Sequence, residues 1–133
     1  MPTLDSADVK ELLDAPNVAV ISTQNGDGSI LSTVVWIGYT DGTLYVNSAI
    51  GRRWPTNLDN DPHITAVVAN PANPMHFVEI RGTVTATTDG ADAAIDALAH
   101  KYLGVDTYPF RQPGERRITY VIAPTRVRLV KQG

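Results

Sequence analysis

The chain reads as mainly β within the α+β class, with the strands curling into a barrel. Three observations predict this: short β-branched runs outnumber the helical stretches, Asn-Gly and Asp-Gly turns punctuate them, and no linker, repeat or low-complexity stretch divides residues 1–133. One domain is therefore expected over the whole length, which supplies enough apolar material for a core.

Residues 4–14 place Leu4, Val9, Leu12 and Leu13 at helical spacing, with Asp5 or Ser6 able to cap the start and Pro16 ending the pattern. Val18–Thr23 is apolar and β-branched, and Asn25-Gly26-Asp27-Gly28 predicts a hairpin into a strand over Ile30–Tyr39. Asp41-Gly42 predicts a second tight turn into Leu44–Ser48. After an arginine-bearing loop, Asn57–Asp61 reads as a single helical turn and His63–Ala69 as a strand. Asn70-Pro-Ala-Asn-Pro74 reads as a loop, and Phe77–Thr87 alternates as a further strand. Asp89 is the expected cap of a helix running to Leu103, where Ile95, Leu98 and Tyr102 make the apolar stripe and Gly104 the stop. The segment 105–114 is a loop whose Tyr108 and Phe110 must bury against something. Strands over Arg117–Ile122 and Thr125–Val130 follow, with Pro124 interrupting them at a bend or edge.

Composition excludes several classes of function. A formal net charge of −3 argues against general nucleic-acid binding, which needs a basic face to neutralise phosphates. Any anion must be held by a local cluster. Zero cysteines exclude disulfides, thiol catalysis and thiolate metal sites. The three histidines are too scattered to indicate a metal cluster, so no metal is expected. No apolar run of membrane length and no signal-peptide pattern is present, and the expected location is the cytoplasm.

The most informative segment is Gly51-Arg52-Arg53-Trp54-Pro55-Thr56-Asn57-Leu58-Asp59-Asn60-Asp61-Pro62. Two arginines at the end of a strand, followed by a helix-like turn, set fixed positive charge and backbone donors where a phosphate could dock. The plainer reading is a solvated strand-to-helix loop. Trp36 continues an apolar strand and reads first as core or dimer-interface packing, second as a substrate wall. Glu79 and Arg81 share a strand face, which suits a structural ion pair better than an acid–base couple. Lys101 sits at a helix end, where it favours the macrodipole, with a place at the substrate mouth as the alternative. Tyr108 and Phe110 are better candidates for that mouth. Arg116 and Arg117 could reach an acidic cofactor tail, although solvated strand ends are the simpler account.

Taken in order, the Trp36 strand, the Asp41-Gly42 turn, the arginine loop, Asn57-Leu58-x-x-Asp61-Pro62, Val78-Glu79-Ile80-Arg81-Gly82, His100-Lys101-Tyr102-Leu103-Gly104 and Tyr108-Pro109 carry a resemblance. The chain resembles the split β-barrel flavin and deazaflavin oxidoreductases, the pyridoxamine 5′-phosphate oxidase-like superfamily, and within it the coenzyme F420-dependent reductases. That resemblance implies a homodimer of six-stranded split barrels with two flanking helices and the cofactor in a groove between subunits. It implies that Ser32, Thr33 and Val34 border the ring, that Asn47 and Ser48 contact the ring or the ribityl chain, and that Arg52, Arg53, Trp54 and Asn57 lie around the phosphate. Trp54 departs from the pattern, since related chains often place a lysine there.

The activity this implies is hydride transfer from reduced F420 to a conjugated small-molecule acceptor. A deazaflavin carries the hydride itself, so the absence of a recognisable catalytic triad or acid–base pair is expected, and no catalytic residue is assigned. An FMN-binding protein of the same fold is the first alternative, and a non-catalytic flavin- or haem-binding protein the second. The ending Arg126-Val-Arg128-Leu-Val-Lys-Gln-Gly133 lacks the Trp-x-Arg-Leu-x-Pro pattern of true pyridoxamine phosphate oxidases.

Overall fold

In the computed structural model, residues 1–132 are described. A short helix α1 (Ala7–Asp14) leads into strands β1 (Ala19–Gln24), β2 (Ile30–Val35), β3 (Gly38–Thr40) and β4 (Thr43–Ala49). Helix α2 (Arg53–Asn60), the hairpin β5 (His63–Asn70) and β6 (Asn73–Thr87), helix α3 (Ala91–Leu103) and strand β7 (Arg117–Lys131) complete the chain. All pairings are antiparallel, in the order β2-β1-β5-β6-β7-β4-β3.

That order explains how the sheet curls. β2 and β3 are its two end strands, yet only Trp36 and Ile37 separate them along the chain. The sheet must therefore roll until its edges approach one another, which is the split barrel. The single strand expected over Ile30–Tyr39 is in fact broken at Trp36–Ile37, and taking its halves together reduces the seven strands to the expected six. Gly38 sits at the break for a steric reason: a Cβ there would lie 2.3 Å from the ring of Tyr45 on the paired strand.

The interior of the curl is filled by Ile21, Ile37, Leu44, Val46, Ile80 and Tyr120, against which α1 lays Val9, Leu12 and Leu13. Pro16 does stop α1, and Asn17 Nδ2 then donates to the freed Leu12 carbonyl at 3.1 Å.

Several local expectations need correction. Three helices flank the sheet, not two, because α2 runs two turns from Arg53 instead of one turn from Asn57. Pro55 is accommodated because its missing N–H falls in the first turn, where no intrahelical acceptor exists. Asp89 does not cap α3; Gly90 occupies that position in a left-handed conformation. Gly104 ends α3 as expected. The loop at 70–74 contracts to a tight turn, since Asn70 already pairs with Asn73. Pro124 does not divide β7. It lies opposite Gly82 at a shift in register, so one continuous strand bends there. A Cβ on Gly82 would stand 2.4 Å from the Ala123 carbonyl oxygen, which reserves the position for glycine.

Candidate functional site

At the junction of β2 with the ends of β4 and β7, beneath the segment 105–116, lies a cavity of about 300 Å³. Its construction begins with strand register. Asn47 on β4 faces Thr119 on β7, and Arg117, two residues earlier, shares that face. Arg117 Nε donates to Asn47 Oδ1 at 3.0 Å, while Asn47 Nδ2 donates to the Ala91 carbonyl and to Thr119 Oγ1, each at 2.9 Å. The start of α3 is thereby tied to the floor of the cavity.

Arg117 is 5% exposed, and its charge is met by Glu115, which is ion-paired to Nη1. The same Glu115 Oε1 takes Arg52 Nη2 at 3.4 Å, and its second oxygen accepts the Gln112 amide at 3.0 Å. Burial opposes ionisation of Glu115, but the Gln112 amide and the two guanidiniums outweigh it and hold the carboxyl below its usual range. The cavity thus has one cationic end built from two arginines and a carboxylate.

The rest of the lining is flat and largely apolar. Trp36 stacks on Tyr102 with ring centroids 5.3 Å apart and planes 5° from parallel. Tyr108 meets Trp36 edge-on at 6.0 Å and Phe110 at 5.7 Å, and the Arg117 guanidinium lies 5.0 Å from the Tyr108 ring centroid. Val18, Val34 and Ile95 add aliphatic surface. Ser48 is 2% exposed, yet its hydroxyl has no hydrogen-bond partner among the described residues. Its hydrogen-bonding capacity is unspent beside the cavity.

Of the residues expected to bind cofactor, Thr33, Val34, Asn47, Ser48, Arg52 and Trp54 line this one cavity. Trp36, Tyr108 and Phe110, expected at the substrate mouth, join them. Four candidates lie outside the lining. Ser32 pairs with Ser22 across the β1–β2 hairpin at 3.1 Å. Arg53 is exposed. Asn57 is buried and fastens α2 to the hairpin through Thr23 Oγ1 at 3.1 Å and Asn25 Oδ1 at 2.9 Å. Lys101 donates to the carbonyls of Leu13 at 2.5 Å and Ile37 at 2.8 Å, and burial pushes its pKa down to about 8. It clamps the β2–β3 crossover and does not reach the cavity. Trp54 is largely core: it packs on Tyr120 at 5.7 Å and is 7% exposed where it borders the cavity.

Sequence reasoning undervalued Arg117, gave Ile95 only a place in the apolar stripe of α3, and missed Glu115 altogether. The signal for Arg117 was available, because one residue of an arginine pair opening a strand must face inward. Glu115 carried no such signal. Glu79 and Arg81 form the expected structural pair, at 3.5 Å, shared with Arg128 at 3.3 Å.

A larger cavity, about 530 Å³, opens beside Ser22, Thr65 and Arg81 and contains none of the expected residues. Its Arg81 is exposed, and the half-buried Asp61 is already engaged with His63 Nδ1 at 2.6 Å. The smaller cavity is the better candidate because it alone combines a buried guanidinium with an unsatisfied hydroxyl. Among the described residues no helix is long and apolar enough to cross a membrane.

Comparison with known proteins bears on both fold and site. A structure described as an F420 reductase superposes with a TM-score of 0.78 at 24% identity, over 90% of this chain and 94% of that one. A conserved hypothetical protein of Mycobacterium tuberculosis gives 0.76 at 16% identity, over 96% and 85%. The general stress protein 26 of Bacillus anthracis gives 0.69 at 14% identity, over 92% and 91%. No curated protein matches the chain in sequence. At these identities the superpositions speak to the curled sheet alone, and they agree with it. The sequence itself matches the pyridoxamine 5′-phosphate oxidase family over residues 6–131, a span that takes in every residue of the cavity, and the chain belongs to that family.

Proposed function

We propose that this protein is a coenzyme F420-dependent oxidoreductase that reduces a conjugated small-molecule acceptor. The observation that carries the reading is the cavity itself: a slot of aromatic and valine side chains with one buried unsatisfied hydroxyl, Ser48, and one cationic end, Arg52 with Arg117. A flat ring with a phosphate-bearing tail suits such a slot, because apolar walls bury the ring and guanidinium forks match phosphate oxygens. The bound deazaflavin would supply the hydride. The chain's residues then bind, orient and exclude water: Trp36 and Tyr108 wall the slot, Ser48 offers a hydrogen bond, and Arg52 offers its half-exposed guanidinium to the tail. A structure named as an F420 reductase shares this fold, so the fold is one that the proposed cofactor can occupy.

The protein is further read as a cytoplasmic homodimer. Val34 and Ile30 are 64% and 63% exposed on the outer face of the hairpin, and the strand pairing continues the row from Val34 through Val20 to Val67. A second copy would cover this face and deepen the cavity beside it. Light scattering at micromolar concentration should give about twice the 14.4 kDa chain mass, and a clean monomer refutes the dimer.

FMN is the second reading, favoured by the family match. Absorbance and fluorescence titrations with F420 and FMN in parallel separate the two. Anaerobic return of oxidised F420 absorbance with quinones and enones then tests the reaction. Turnover with FMN and oxygen, and none with F420 across the panel, overturns the deazaflavin assignment.

A further inference from the structure

The cationic end of the cavity holds its own anion. Glu115 Oε1 bridges Arg52 and Arg117, its other oxygen is fixed by the Gln112 amide, and its side chain is 6% exposed. Two guanidiniums and one carboxylate leave one positive charge in excess. Arg117 spends Nε on Asn47 and Nη1 on Glu115, and among the described residues Nη2 has no hydrogen-bond partner. Arg52 is held by a single 3.4 Å contact with its side chain 50% exposed. Donors remain for an incoming anion, but the charge available to it has been set by Glu115.

We infer that Glu115 is a specificity-determining residue that matches the site to a phosphodiester monoanion and discriminates against a phosphomonoester dianion. The physical reason is charge balance on desolvation. A monoanion brings the cluster to neutrality, whereas a dianion leaves an uncompensated negative charge beside the Glu115 carboxylate in a partly buried site, where such charge is costly. The distinction is chemical and practical: the phosphate of F420 is a diester with one charge, while that of FMN is a monoester carrying nearly two near neutral pH. This deepens the cofactor reading above and rests on it only for the binding of an anionic ligand by this cluster.

The test compares two probes that share ring and side chain and differ in phosphate charge: FMN and its phosphate methyl ester, titrated by flavin fluorescence above the second phosphate pKa. Wild-type protein should bind the methyl ester at least as tightly as FMN. Glu115→Gln, which keeps the shape and removes the charge, should shift the ratio of the two dissociation constants about tenfold toward FMN. Arg52→Gln changes the cluster charge in the opposite sense and should shift the ratio toward the methyl ester by a similar factor, so the test stands if Glu115→Gln fails to fold. A merely structural role for Glu115 would weaken both probes equally. Ratios that stay within about twofold of wild type in the variants that fold, or a wild type that binds neither probe, overturn the inference. Neither probe requires F420 or an acceptor, so failure of the reductase reading appears separately, as absent F420 turnover with the ratio shifts intact.

Discussion

Two arginine pairs, Arg52-Arg53 and Arg116-Arg117, look alike in sequence, and the structure divides each in the same way. One member turns to the cavity and the other to solvent: Arg52 and Arg117 share Glu115, while Arg53 and Arg116 are exposed. The reasons differ. At the start of β7 successive side chains point to opposite faces of the sheet, so only Arg117 can lie beside Asn47. At the start of α2 the helical turn separates neighbours around the axis, so Arg52 at the cap reaches back to Glu115 as Arg53 swings away. The pairs also differ in depth: the Arg117 side chain is 3% exposed and that of Arg52 50%. A buried arginine within an ion-paired network is part of the fold, and a half-exposed one is available to a ligand.

The largest expected effect follows from that difference in depth. Arg117→Ala leaves Glu115 buried with only the distant Arg52 and strips Asn47 of its donor, and should cost roughly 3–5 kcal/mol in urea unfolding. Arg116→Ala should stay within about 0.5 kcal/mol of wild type, as surface substitutions do. Equal midpoints for the two variants would erase the distinction between buried and exposed partners.

Ligand binding sharpens the other pair. Charge-assisted hydrogen bonds contribute roughly 1.5–3 kcal/mol each, so Arg52→Ala should weaken cofactor binding by about one to two orders of magnitude with the fold intact. Arg53→Ala should change it by less than about twofold, because Arg53 does not line the cavity. A larger loss in the Arg53 variant would return the phosphate to the outer side of the loop.

The smallest effect is on acid stability. The Glu115 carboxyl is held below its ordinary value in the folded protein, so its contribution is fully present above the unfolded carboxyl pKa. That contribution is lost as pH falls through the folded value. Thermal midpoints of wild type and Glu115→Gln should accordingly converge on acidification below the ordinary carboxyl pKa of 4.5, and a difference that instead grows toward acid would contradict the assignment.

Much of the architecture was legible from local chemistry. The hairpin at Asn25–Gly28, the turn at Asp41-Gly42 and the stop at Gly104 all rest on residues whose backbone preferences act over a few positions, and all appear where expected. The errors share a cause as well. Pro124 reads as a strand breaker, but the bulge opposite Gly82 absorbs it, and that depends on a residue 42 positions away. Lys101 reads as a helix-end charge, yet the carbonyls it holds belong to Leu13 and Ile37. Glu115 is an ordinary loop acid beside Arg117 until folding brings Arg52, 63 positions away, onto the same carboxylate.

By itself the sequence determined the order of strands and helices, the turns between them and the presence of adjacent arginines, because propensity, period-two alternation and turn chemistry are decided within a few residues. The tertiary structure decided the rest. The Trp36–Ile37 break that sends β2 and β3 to opposite edges of the sheet depends on pairing partners at both edges, and the choice of Arg52 over Arg53 depends on the Glu115 carboxylate that the curled sheet brings within its reach. Those are contacts between residues far apart in the chain, and no local pattern encodes the distance between them.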